Sequence, residues 1–171
     1  LDSKSSLESI LSDRKNRLKQ YQNERLASKY EKLVLAVNEK SNEMALAVAE
    51  SYYKLLAYKD EYEVARLHVQ YLKDALDKEF QSYSKLSFYF APTFLGSGKT
   101  RSKKREFGPW MLVLLRMLAK GRFLRGTVFD IFGYSTERKR EKSLIIEFET
   151  DVRKILSFYE TIDRNLAVER A

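Results

Sequence analysis

The sequence predicts a mainly α fold: a long helical hairpin, a buried central helix and a long C-terminal helix, with a Gly/Pro-punctuated basic connection. Three observations carry this. All six glycines (96, 98, 108, 121, 126, 133) and both prolines (92, 109) fall between residues 92 and 133. These are the strongest helix breakers, so the flanks 1–91 and 134–171 are free to be helical. Apolar residues in both flanks recur at spacings of three, four and seven, the period of one helix face. Finally, an apolar fraction of 44% and an aromatic fraction of 13% over 171 residues suffice for a packed core. A disordered tail is excluded, and the length fits one domain, 1–171.

Leu7, Ile10, Leu11, Leu18 and Tyr21, then Leu26, Tyr30, Leu33 and Val37, make one stripe, so a long helix with room for one break is expected over about 5–38. The turn-forming run from Asn38 to Glu43 supplies candidate N-caps. Met44, Val48, Tyr52, Leu55, Leu56 and Tyr62 then begin a second stripe that continues through Ala65, Val69, Leu72, Leu76 and Phe80. Two such helices in succession form an antiparallel hairpin. Leu86-Ser87-Phe88-Tyr89-Phe90-Ala91 alternates and is rich in aromatics, which reads as a short strand or an extended packing segment stopped by Pro92. An irregular basic loop follows at about 92–108. Pro109 suits the first turn of a helix from Trp110 to Lys120 that Gly121 ends, and its near-continuous apolar character makes this the core element. A last helix starts near Ser135 or Thr136 with Glu137 in its first turn, and carries Leu144, Ile145, Phe148, Val152, Ile155, Leu156, Tyr159, Ile162 and Leu166 on one face.

There are no cysteines. Disulfides, thiolate metal sites, Fe–S clusters and cysteine nucleophiles are therefore excluded, and a reducing, cytoplasmic setting is expected. No apolar run exceeds the six residues of Trp110 to Leu115, where a membrane span needs roughly 20. Leu1-Asp2-Ser3-Lys4 has neither an initiator Met nor the charged-then-apolar pattern of a signal peptide, so the chain reads as a piece of something longer. Its net charge of +8 is local: residues 99–142 hold thirteen basic and four acidic residues, and the remainder nineteen and twenty. An anionic partner is to be sought on that segment.

Each candidate for chemistry has a plainer reading. Gly96-Ser97-Gly98-Lys99-Thr100 ends like a phosphate-binding loop, but Thr93 stands where the pattern needs Gly, and no helix pattern follows to supply amides. A solvated loop is the better reading. The clusters at 99–105 and Arg138-Lys139-Arg140 could meet phosphates, yet the first has no interleaved aromatic and the second is flanked by Glu137 and Glu141. His68 is the only histidine and reads as a helix-surface or groove residue. Asp60, Glu61 and Glu63 stand beside Lys59 and Arg66 at helical spacing, which favours ion pairing over acid/base work. No nucleophile, base and oxyanion hole assemble, so no catalytic, cofactor-binding or metal-binding residue is assigned.

The string Lys54-Leu55-Leu56-Ala57-Tyr58-Lys59-Asp60-Glu61-Tyr62-Glu63-Val64-Ala65-Arg66-Leu67 resembles the C-terminal helical domain of the fused bacterial indolepyruvate ferredoxin oxidoreductases, in the 2-oxoacid:acceptor oxidoreductase superfamily. Further strings agree in order: Leu86-Ser87-Phe88 with Ala91-Pro92, then Arg105-Glu106-Phe107-Gly108-Pro109-Trp110-Met111, then Phe123-Leu124-Arg125-Gly126-Thr127 with Phe129-Asp130, Phe132-Gly133 and Glu137-Arg138. The similarity runs from about Tyr21 to Leu166. It departs at Ile131, where the family tends to have Pro, and in stopping at Ala171, before the family's usual end. The resemblance implies a parent enzyme that uses thiamine diphosphate and Fe–S clusters to convert a 2-oxoacid to its acyl-CoA and passes electrons to ferredoxin. Those cofactors are expected elsewhere in the parent, and this chain is expected to be a non-catalytic accessory domain. Its partners would be the parent's catalytic domains or a second subunit, and an acidic ferredoxin-like acceptor or CoA. A free-standing basic module for nucleic acid or another polyanion is the alternative. Candidate interaction residues are Lys59, Asp60, Glu61, Arg66, Arg125, Asp130 and Arg138 from the matching strings, with Lys103, Lys104 and Arg105 from the basic loop.

Overall fold

The computed structural model describes residues 3–79, 87–90 and 105–169. The mainly α class holds: among the described residues there are six α-helices and one two-stranded ribbon. The chain divides into two compact units, Leu1–Tyr58 with Phe123–Ala171, and Lys59–Arg122.

The first unit holds α1 (Ser3–Tyr21), α2 (Glu24–Asn38), α3 (Asn42–Leu56) and α6 (Thr136–Glu169), the number α6 following two helices of the second unit. The long first helix of the sequence reading is broken once, at Gln22-Asn23. Asn23 leaves the helical conformation and its side chain accepts from the Leu26 amide at 3.0 Å, so a new helix starts there. Ser41 does the same for α3, accepting from the Met44 amide at 3.2 Å. The apolar stripes of α1, α2 and α3 close on a core of Leu18, Ala27, Tyr30, Val34, Val37, Ala45, Ala49 and Tyr52, to which α6 adds Val152. Ser135 caps α6, its hydroxyl accepting from the Arg138 amide and its carbonyl from that of Lys139. The stripe expected on α6 is covered only in part. Ile145, Phe148, Val152 and Leu156 pack on the core, whereas Leu144, Ile155, Tyr159 and Ile162 are exposed.

The second unit holds α4 (Glu61–Glu79), β1 (Phe88–Phe90), β2 (Arg105–Phe107) and α5 (Trp110–Lys120). The second long helix of the sequence reading is therefore also interrupted: α3 ends at Leu56 and α4 begins at Glu61. Its cause is Asp60, a buried carboxylate that accepts from the Glu63 amide at 2.7 Å while its carbonyl accepts from Val64. Replacing Asp60 with alanine removes this cap and is expected to cost at least about 1 kcal/mol, read as a lowered urea midpoint. The extended segment near 86–91 is a strand at 88–90, antiparallel to β2 with Phe88 opposite Phe107 and Phe90 opposite Arg105.

The α5 helix runs between Pro109 and Gly121 as expected, but it is not buried all round. Met111 and Leu115 pack with Ala65 and Phe88, whereas Trp110, Val113 and Met117 are 57%, 58% and 67% exposed. Within this unit only α4 and the ribbon cover it among the described residues, so its opposite face stays open. Leu86, Ala91, the irregular loop as far as Lys104, and with it the phosphate-loop-like string, Lys103 and Lys104, lie outside the described residues.

Candidate functional site: a basic, tyrosine-walled cavity

Within the first unit, Arg125 is 5% exposed, an unusual position for a guanidinium. It lies 3.8 Å above the centre of the Tyr21 ring and donates to the Tyr21 carbonyl, while its own carbonyl accepts from the Gln22 amide side chain at 3.2 Å. A cation over an aromatic face is held by the ring quadrupole, and more firmly where water is excluded. Tyr21 meets Tyr58 edge to face at 6.1 Å. The Arg138 guanidinium covers Tyr58 at 4.7 Å and is itself fixed by Glu141 at 2.6 Å. Two of the arginines that the resemblance singles out thus each clamp a tyrosine.

Asp130, 3% exposed, fastens the turn that follows Arg125. Its carboxylate accepts from the Gly126 amide at 2.9 Å, its amide donates to the Thr127 carbonyl, and its carbonyl accepts from Gly133. Gly126 sits at φ +75°, where side chains are strained, and a Cβ at Gly133 would stand 2.5 Å from an Asp130 carboxylate oxygen. The Tyr134 hydroxyl closes the turn by donating to the Val128 carbonyl at 2.8 Å. Pinned this way, the segment turns Val128, Phe129, Ile131 and Tyr134 outward, all at least 60% exposed.

Beneath the clamps lies a cavity of about 350 Å³, lined by Lys29, Arg125 and Lys142, by Tyr21, Gln22, Tyr58 and Gly126, and by the apolar Leu26, Leu56, Ile145 and Ile146. A second, of about 230 Å³, lies against the Asp130 turn and shares Gly126 and Lys142 with the first. Lys29 reaches the buried Glu149 at 2.5 Å, and the same carboxylate accepts from the Tyr52 hydroxyl at 2.6 Å and pairs with Arg153 at 3.4 Å. Burial alone would raise the Glu149 carboxyl; hydrogen bonds from Lys29 and Tyr52, with the charges of Lys29 and Arg153, outweigh it and hold it below its ordinary value.

The remaining candidates belong to the second unit or to the undescribed loop. Asp60 is the α4 cap, and Glu61 stands in the first helical turn. Arg66 forks onto both oxygens of Glu63 at 2.7 and 2.8 Å, the ion pairing expected of that charge run. Lys59 opens the unit, and Arg105 is exposed at the ribbon end. His68 is exposed and its ring nitrogen meets the Val64 carbonyl, a helix-surface position. Sequence reasoning missed Lys29, Lys142, Tyr21 and Tyr58 as site residues. For Glu149 a signal existed, since it stands at helical spacing between Ile145 and Val152 on an apolar stripe.

Among the described residues no group of three His, Asp or Glu converges as a metal site, and no helix is long and apolar enough to cross a membrane. A family model described as a family of unknown function, DUF6537, matches residues 7–171. Comparisons with the curated proteins and with the solved structures find no match.

Proposed function

As a member of the DUF6537 family, this chain is, we propose, a non-catalytic accessory domain that docks onto the catalytic parts or the acidic electron acceptor of a larger enzyme. The pinned turn after Arg125 carries the reading. It holds Val128, Phe129, Ile131 and Tyr134 outward beside the basic run Arg138-Lys139-Arg140, and exposed apolar groups rimmed by charge are the chemistry of a protein contact. The sequence resemblance supplies the parent: a cytoplasmic 2-oxoacid oxidoreductase of the indolepyruvate type, dependent on thiamine diphosphate and Fe–S clusters. This chain lacks any thiolate to ligate a cluster. The clusters therefore belong to other parts of the parent, where the resemblance also puts thiamine diphosphate, and no step of its chemistry is assigned to the residues described above.

The excess positive charge of residues 99–142 would steer an acidic ferredoxin-like acceptor, or the phosphates of CoA, toward the segment that carries it. Reversing Lys103, Lys104 and Arg105 to Glu in the full enzyme is expected to lower affinity for the acceptor or for CoA, with the loss largest at low salt. Unchanged steady-state constants for both would overturn the docking role. Steep, salt-dependent binding of the isolated chain to duplex or single-stranded nucleic acid would instead favour the polyanion-binding alternative.

A further inference from the structure

We propose that the larger cavity of the first unit is a binding site for a small organic anion, a phosphate monoester or a carboxylate carried on a flat apolar body. This inference stands apart from the accessory-domain reading, because it needs only residues of the first unit.

Lys29, Arg125 and Lys142 converge on the cavity, and among the described residues no carboxylate lines it. Lys142 is the key group. It is half-buried, lines both cavities and makes no ion pair among the described residues, although its helix is rich in Glu. Its stem lies along the apolar wall and its ammonium reaches the cavity, the second cavity bringing it near Asp130 without an ion pair. Lys29 is oriented by Glu149, which occupies one of the three donors of its ammonium. The guanidinium of Arg125 is fixed by the Tyr21 ring and carbonyl, so it stands in place before any ligand arrives.

The remaining wall is apolar. Leu26, Leu56 and Ile145 give it a surface that a bare inorganic ion would leave wet, and Tyr58 adds an aromatic wall. A volume of about 350 Å³ falls in the range of small-molecule pockets, which combine an apolar lining with a few placed polar groups. The combination selects a ligand with a charged head for the lysines and an aryl or alkyl body for the wall.

The test is calorimetric titration of the 171-residue chain at low salt with phenyl phosphate, phenylacetate and inorganic phosphate. At least one aryl anion should bind saturably with one site per chain, and inorganic phosphate at least about tenfold more weakly. The tighter aryl anion identifies the head group as phosphate or carboxylate. Lys142→Met keeps the side-chain stem and should weaken that binding about tenfold without moving the ligand-free melting temperature. Lys142→Gln serves as the second variant, and Lys154→Met, on an exposed residue away from the cavity, should leave binding unchanged. The proposal is overturned by no saturation with either aryl anion, by equal affinity for inorganic phosphate, or by wild-type affinity in both Lys142 variants.

Discussion

Replacing Tyr52 with alanine is expected to cost the first unit about 4 kcal/mol, the range for deleting a large buried aromatic. Tyr52 is fully buried, with its ring stacked between Tyr30 at 5.9 Å and Phe148 at 5.6 Å. The ring therefore joins α2, α3 and α6, and alanine would leave a cavity where three helices meet. Its hydroxyl also donates to Glu149. Tyr52→Phe keeps the stack and removes only that bond; Lys29 still reaches the same carboxylate oxygen, so the cost should be about 1 kcal/mol. Urea unfolding of the two variants separates ring from hydroxyl, and equal losses would refute the packing account.

The same pair makes a pH prediction. Burial, then the hydrogen bond and charge of Glu149, push the Tyr52 phenol far up, and burial pushes Tyr30 up to about 12. The fold holds both phenols neutral, so their contribution is complete below about pH 10 and is lost as pH rises and the unfolded phenols ionise first. Stability should fall on the alkaline side, and less steeply in Tyr52→Phe, which has one such phenol fewer.

The helices were legible because apolar spacing reports one buried face whatever that face packs against, and Pro109, Gly121 and Ser135 punctuate it. The breaks were legible only in part: the first helix leaves room for one, and the steps of five from Tyr21 to Leu26 and six from Leu56 to Tyr62 depart from helical spacing, but they do not say which residue ends a helix. In both cases a single side chain that caps a helix decides the break. Asp60 was visible as a polar member of a matching string, yet its position beside Lys59 and Arg66 suggested ion pairing and hid the cap. The strand at 105–107 lay unread because Arg105 and Glu106 carry no apolar alternation; it forms by pairing with Phe88–Phe90. The cavity was legible only in fragments. Arg125 and Arg138 stood out by resemblance, but Tyr21 falls on the apolar stripe, and Lys29 and Lys142 belong to no motif. What joins them is tertiary: two tyrosine rings under two guanidinium groups, over a wall drawn from α2, α3 and α6.

Gly133→Ala should cost about 2 kcal/mol, far more than the loss of a methyl-sized space suggests, because the new Cβ would meet a partner that cannot yield. It would stand 2.5 Å and 2.7 Å from the Asp130 carboxylate and 3.2 Å from the Asp130 carbonyl. Asp130 is buried, and its carboxylate is held by the Gly126 amide while its backbone closes the turn on both sides. To admit the methyl group, that charge-assisted bond must break or the turn must open, and either loss is of the order of 2 kcal/mol. Gly126→Ala is the comparison: its φ of +75° strains any side chain, but nothing stands within 4 Å of the added Cβ, so only the backbone cost of about 1 kcal/mol remains. If the Asp130 fastener is what holds Phe129, Ile131 and Tyr134 outward, Gly133→Ala should lower the unfolding midpoint more than Gly126→Ala and also speed proteolysis within 126–134. A Gly133 variant no less stable than its Gly126 counterpart would mean that Asp130 moves freely, and the turn would lose its role as a fixed docking element.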